Sequence, residues 1–307
     1  MPGTFAYIAA LHLATEPSKL AGLGSMPNEA KKILSTYSRY AELGALSPDY
    51  PYLIFGDREQ NRWAELMHSE KVGELIRSFI FHISSASTSE KNRCFAWLAG
   101  YVSHVITDIT IHPVIERRVG RYSENKLNYR MCEIHQDTHL QHYLGLEESE
   151  FLQRIKTDIV SCHEDKNPHL ADDAIRNFWS MALTEVYSGY SAKSLPNINL
   201  WHKTFVSKMD EFYSLVTDFP LAHHAVKKYG IIPPDKSELD GSFLTELKTP
   251  LGVMHYDEIF NRTVDNIQYY LTELAKVIFS EGDDQIFLNW NLATGRCPDG
   301  TYTAWQM

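Results

Sequence analysis

The spacing of apolar and polar positions predicts helices along most of the chain. A short apolar segment over residues 6–14 reads as a helix, and Asn28–Ala45 as another, with Asn28 as its cap and Glu29 in its first turn. GALSPDYPYL follows, where Pro48 and Pro51 break regular structure and put Asp49 in a loop of restricted backbone. Gln60–Ser84 returns to helical spacing, as two helices or one that bends. The strongest pattern is SEKNRCFAWLAGYVSHVITDITIH, from Ser89 to about His112, whose polar start gives way to a nearly apolar body. Such a helix is buried on most sides. Its β-branched run VITDITI also suits a strand, but no turn signal interrupts the helix before Pro113, where it is expected to end. RYSENKLNYR reads as a polar loop, and Tyr129–Tyr143, Asp172–Tyr187, Pro220–Tyr229 and Asp257–Phe279 as helices.

Alternating strand patterns are scarce, so the class is all-α or mainly α, a compact multi-helix fold. Residues 1–205 are expected to form the helical core. Residues 206–307 are expected to form a C-terminal helical extension packed on it, within the same domain or beside it. Near the end, NWNLATGRCPDGTYTAW carries aromatic and turn residues without recognisable chemistry.

Composition narrows the classes. Of 307 residues, 29 are Lys or Arg and 39 are Asp or Glu, a net charge of -10. That balance argues against a stable nucleic-acid complex, although clustered metal ions can reverse the field inside one pocket. The four cysteines, Cys94, Cys132, Cys162 and Cys297, form no C-x-x-C pair, which argues against a disulfide scaffold and a cysteine-rich zinc site. No basic leader precedes the first apolar segment, and no run of about 18 apolar residues is present. A cytoplasmic protein with no transmembrane segment is the expectation. Oligomeric state is open.

The chemistry gathers in the apolar helix. His104 and Asp108 are four residues apart and share a face, with His112 one turn further. Eight residues span about 12 Å, too far for one ion but suited to two, with Asp108 between them. Imidazole and carboxylate are zinc ligands, and a buried carboxylate between two imidazoles is costly without a cation among them. The competing reading is a His–Asp pair satisfying its own hydrogen bonds. A second dense run, CEIHQDTHLQH, offers Glu133, His135 and His139, which cannot all converge on one ion. Asp49 and His68 complete the candidates. No G-x-S-x-G elbow, P-loop or dinucleotide fingerprint occurs, which removes serine-triad and nucleotide-fold mechanisms.

GALSPDYPYL with Asp49, the Met67–His68 pair, and GYVSHVITDITIHP together resemble the bacterial zinc-dependent phospholipase C family, in the wider group that includes P1-type nucleases. NYRMCEIHQD matches more loosely. The resemblance implies a first zinc site of Asp49, His68, His104 and Asp108. It implies a second site using His112 and a His-x-x-x-Glu pair, for which Glu133, His135 and His139 are the local choices. A third site would use the N-terminal region, with His12 or Tyr7 at the family's histidine, and Asp108. Two zinc ions are expected, one to three fit the donors, and iron or manganese suits the same ligand types. The activity implied is hydrolysis of a phospholipid or related small phosphodiester by metal-activated water, with Asp49 also orienting or deprotonating that water. A single-strand nuclease-like phosphodiesterase and a non-catalytic metal-stabilised binding protein are the alternatives.

Overall fold

The computed structural model describes residues 4–145, 148–164, 167–218 and 234–306. The helix expected over Pro220–Tyr229 lies outside them, as do His223 and His224. The architecture is mainly α-helical, with two short antiparallel hairpins among the described residues. In chain order the helices are α1 (Thr4–Ala14), α2 (Pro17–Gly22), α3 (Asn28–Thr36), α4 (Ser38–Leu46), α5 (Arg58–Ser69), α6 (Val72–Ser84) and α7 (Thr88–Val119). Then come α8 (Lys126–Leu144), α9 (Glu148–Val160), α10 (Asp173–Val186), α11 (Ser188–Ser191), α12 (Ile198–Asp218) and α13 (Tyr256–Phe279). The hairpins pair β1 (His163–Glu164) with β2 (Asn167–Ala171), and β3 (Leu247–Thr249) with β4 (Gly252–Met254).

Several boundaries differ from the sequence pattern for identifiable reasons. Asn28–Ala45 is two helices, broken at Tyr37 (φ -113°, ψ 29°). Gln60–Ser84 divides at Lys71, whose φ of 53° is left-handed and ends helical continuity. SPDYPYL is a 3-10 helix, Ser47–Leu53, in place of an open loop. Proline near the start of such a turn loses no hydrogen bond that the turn needs.

Pro113 does not end α7, which runs on to Val119 and stops at Gly120. An internal proline frees the carbonyl four residues earlier, here that of Ile109. Gly295 (φ +68°) packs so closely there that a Cβ would overlap both the Pro113 ring and the Ile109 carbonyl.

Helix α7 is the axis of the molecule, and every residue from Cys94 to Ile115 is buried. It is long and apolar enough to cross a membrane, but its apolar window is wholly covered by the rest of the protein. α4 crosses it with no room for side chains. A Cβ on Gly44 would overlap the Trp97 carbonyl, and one on Gly100 the Ala41 carbonyl. That close crossing sets the end of α4, and the 3-10 turn carrying Asp49, against the next turn of α7. On another side Asn266 of α13 donates to Thr110 of α7 (3.2 Å) and to the Ala304 carbonyl (2.8 Å). α1 lies across α7, α4 and α13, its first turn received by Asp137 of α8, which accepts the Ala6 N–H at 3.2 Å.

Candidate metal centre

Three elements converge around Asp108. The 3-10 turn brings Asp49, the last turn of α5 brings His68, and α7 brings His104, Asp108 and His112. His104 and Asp108 are fully buried. Each histidine has its Nδ1 against a backbone carbonyl: His68 on Ala64 (2.7 Å), His104 on Ala45 (2.8 Å) and His112 on Leu292 (2.7 Å). A carbonyl only accepts, so each Nδ1 carries the proton. In a neutral imidazole the Nε2 is then a bare lone pair.

Those three lone pairs all point at carboxylates. His68 Nε2 lies 3.2 Å from Asp49 Oδ1 and 3.9 Å from Asp108 Oδ2. His104 Nε2 lies 3.4 Å from Asp108 Oδ2, 4.0 Å from Asp49 Oδ1 and 3.4 Å from His68 Nε2. His112 Nε2 lies 3.4 Å from Asp108 Oδ1. Among the described residues, Asp49 Oδ1, Asp108 Oδ2 and His112 Nε2 are buried without a hydrogen-bond donor or acceptor. Lone pair facing lone pair is repulsive unless positive charge lies between them. Zinc at its usual bond lengths holds tetrahedral ligand atoms about 3.3 Å apart, the spacing seen here.

The titration behaviour reports the electrostatic coupling of these groups. Burial pushes the Asp108 carboxyl upward, but His112, His104 and His68 outweigh it and hold it well below the usual carboxylate range. Burial lowers His104, while the Asp108 and Asp49 carboxylates overcome this and raise it. Burial dominates at His112 and pushes it down to about 4, so that ring is neutral at physiological pH. Glu133, on α8, is raised by its burial.

Tyr7 of α1 is part of this shell. Its phenol donates to Asp108 Oδ1 at 2.7 Å, and its ring stacks on His104, centroids 4.0 Å apart and nearly parallel. Burial, then the Asp108 charge, raises its pKa far above the ordinary phenol value, so it remains a donor. Around the centre Tyr52 packs on His68, Tyr129 on His112 and Tyr122 on Tyr129.

The other sequence candidates lie apart. His12 accepts from Arg154 at Nδ1 (3.0 Å), so its Nε2 donates to the buried Glu42 (2.5 Å). His135 accepts the Asp240 N–H (3.0 Å) and leans on Phe243. His139 meets Asp257 at 2.6 Å, with His255 beside it. Among the described residues, two separate groups therefore have the ligand types and proximity zinc needs: Asp49–His68–His104 and His139–His255–Asp257. Their spacing distinguishes them. A 2.6 Å contact is a hydrogen bond with its proton in place, and the Asp257 N–H already donates to His255 Nδ1 (3.1 Å). The second group satisfies itself, whereas the first does not.

A family model described as zinc-dependent phospholipase C matches residues 1–189. The chain belongs to the zinc-dependent phospholipase C family. The matched span includes Asp49, His68 and the whole of α7. No curated protein and no solved structure matches the chain. Family membership and the Asp49–His68–His104 triad together support a zinc-dependent phosphoester hydrolase, as the resemblance implied.

Two contributors were missed in the sequence. The carbonyl of Leu292 has no side-chain signature at all. Tyr7 entered only as an alternative position for a family histidine, and its apolar neighbours give no sign that its hydroxyl reaches Asp108.

Proposed function

We propose that the chain hydrolyses a phospholipid or related small phosphodiester at a two-ion zinc centre bridged by Asp108. Asp49, His68, His104 and Asp108 Oδ2 would hold the first ion. His112 and Asp108 Oδ1 would hold the second, with the buried Glu133 as a further candidate carboxylate. The observation that carries this reading is the set of three Nε2 lone pairs aimed at two carboxylates, with every Nδ1 proton already committed to a carbonyl. Bound there, zinc supplies Lewis acidity toward phosphoryl oxygens and brings the pKa of a water toward neutrality.

The chain's own residues divide the remaining work. The carbonyls of Ala64, Ala45 and Leu292 fix each ring's tautomer and direction. Asp108 and His104, shielded from water, keep their geometry without reorganising. Asp49 is different, because its side chain retains 20% exposure while its Oδ1 is buried. We assign its other oxygen, Oδ2, the role of orienting the attacking water and accepting its proton. Tyr52 and Tyr122 would flank the substrate. The net charge of -10 favours a small phosphodiester over a nucleic-acid strand.

The test is a zinc count on purified protein together with hydrolysis of a chromogenic phosphodiester, phosphatidylcholine vesicles and single-stranded DNA. About two zinc ions per chain and chelator-sensitive phosphodiesterase activity are expected. Folded, unchelated protein with no bound metal would end the proposal. Metal without hydrolysis of any substrate would favour a metal-stabilised binding protein, and preference for DNA would favour the nuclease.

A further inference from the structure

The segment from Phe287 to Arg296 lies about a hundred residues beyond the part of the chain matched by the family model, yet it reaches the centre. Leu292 is the point of contact. Its N–H donates to the backbone carbonyl of His68 (2.7 Å), and its own carbonyl accepts from His112 Nδ1 (2.7 Å). One residue thus touches two of the three converging histidines, which come from different helices. Its side chain is fully buried, as is that of Trp290.

The segment is anchored on both sides of Leu292. Upstream, the Asn289 side-chain oxygen accepts the Gly73 and Glu74 N–H groups at the start of α6 (3.0 and 3.2 Å), and Arg77 donates to the Phe287 carbonyl (2.5 Å). Asn291 and Arg296 close a bridge around Leu292, and downstream Gly295 is wedged against Pro113, one position from His112, and the Ile109 carbonyl. The internal proline of α7 and the left-handed glycine form one joint, holding the segment where it meets His112.

We infer that this C-terminal strap is a positioning element of the metal centre, with the Leu292 backbone fixing the tautomer and direction of His112 and bracing His68. The inference rests on the two-ion reading above. A solvent-exposed neutral histidine side chain prefers its proton on Nε2, the form that cannot bind metal through that atom. The Leu292 carbonyl draws the proton to Nδ1 and leaves Nε2 bare toward Asp108. Asp49 and the Nδ1 partners of His68 and His104 lie elsewhere, so loosening the strap acts first on the second ion.

The experiment uses the full-length chain and two changes, neither of which replaces a zinc donor. Asn289→Ala removes the upstream anchor. Replacing the exposed Ala293 by its α-hydroxy analogue turns the Leu292–Ala293 amide into an ester and weakens the Leu292 carbonyl as an acceptor without altering a side chain. The readouts are the imidazole nitrogen spectrum of the zinc-free protein and stepwise zinc affinity by chelator competition. In wild type, His112 is expected to show the Nδ1–H tautomer. In both variants it shifts toward Nε2–H, and the second zinc weakens by about 10-fold or more while the first is retained. Wild type that takes up no zinc overturns the metallohydrolase reading. Wild type that takes up zinc, with both variants folded and unchanged in tautomer and affinity, overturns the role of the strap.

Discussion

The Tyr7 hydroxyl donates to Oδ1 of Asp108 across 2.7 Å, the same oxygen that His112 Nε2 faces at 3.4 Å. The ring that carries this hydroxyl lies flat on His104. One residue of α1 therefore sets the rotation of the Asp108 carboxylate and supports the neighbouring His104 ring.

Tyr7→Phe keeps the stack and removes the donor. A hydrogen bond to a charged acceptor contributes about 1.5–3 kcal/mol, and partners of metal ligands commonly matter 10–100-fold, in rough terms, for affinity. Zinc affinity measured against a competing chelator is expected to fall by about 10-fold, with circular dichroism unchanged. Unchanged affinity would reduce Tyr7 to a packing residue.

Asp108→Asn separates stability from metal binding. In the zinc-free protein the buried Asp108 carboxylate leaves Oδ2 without a hydrogen-bond donor while facing the Nε2 nitrogens of His104 and His112, which is costly. An amide has N–H groups to donate to those nitrogens. The zinc-free variant is expected to unfold at or above the wild-type temperature, while the upward shift that zinc gives the wild type disappears and hydrolysis is lost. A variant that still gains stability from zinc would show that Asp108 is dispensable as a ligand.

Gly100→Ala tests the crossing of α4 and α7. The added methyl would overlap the Ala41 carbonyl, a backbone atom that cannot rotate away. Overpacking of this kind costs about 1–3 kcal/mol or more. Denaturant unfolding should show at least that loss. Zinc affinity should fall too, because the crossing holds the Ala45 carbonyl on His104.

Asp137 gives a pH signature of its own. Burial pushes its carboxyl from 3.8 up to about 7, against the helping N–H of Ala6. A folded pKa above the unfolded one means the folded state holds the proton more tightly. That contribution is complete below about pH 4 and is lost as pH rises through 7, with a slope of up to about 1.4 kcal/mol per pH unit. Zinc-free wild type compared with Asp137→Asn between pH 4 and 8 should show this falling difference. Parallel stability curves would exclude it.

Helical spacing alone determined the mainly α class and the shared face of His104, Asp108 and His112, because residues four apart on a helix must be neighbours. The proline-restrained segment likewise marked Asp49 as a rigidly held carboxylate. Only the tertiary structure decided which other groups join them. Tyr7 reaches Asp108 across 101 residues and Leu292 reaches His112 across 180, separations over which no local pattern carries information. The same long-range packing drew His12 to Glu42, His135 to Asp240 and His139 to Asp257, leaving ligand-type residues with hydrogen-bonded partners of their own. It also carried α7 past Pro113, since the carbonyl that the proline frees lies buried against Gly295. A side chain's chemistry is written in the sequence, but whether its lone pair meets a proton or faces another lone pair depends on what the fold sets opposite it.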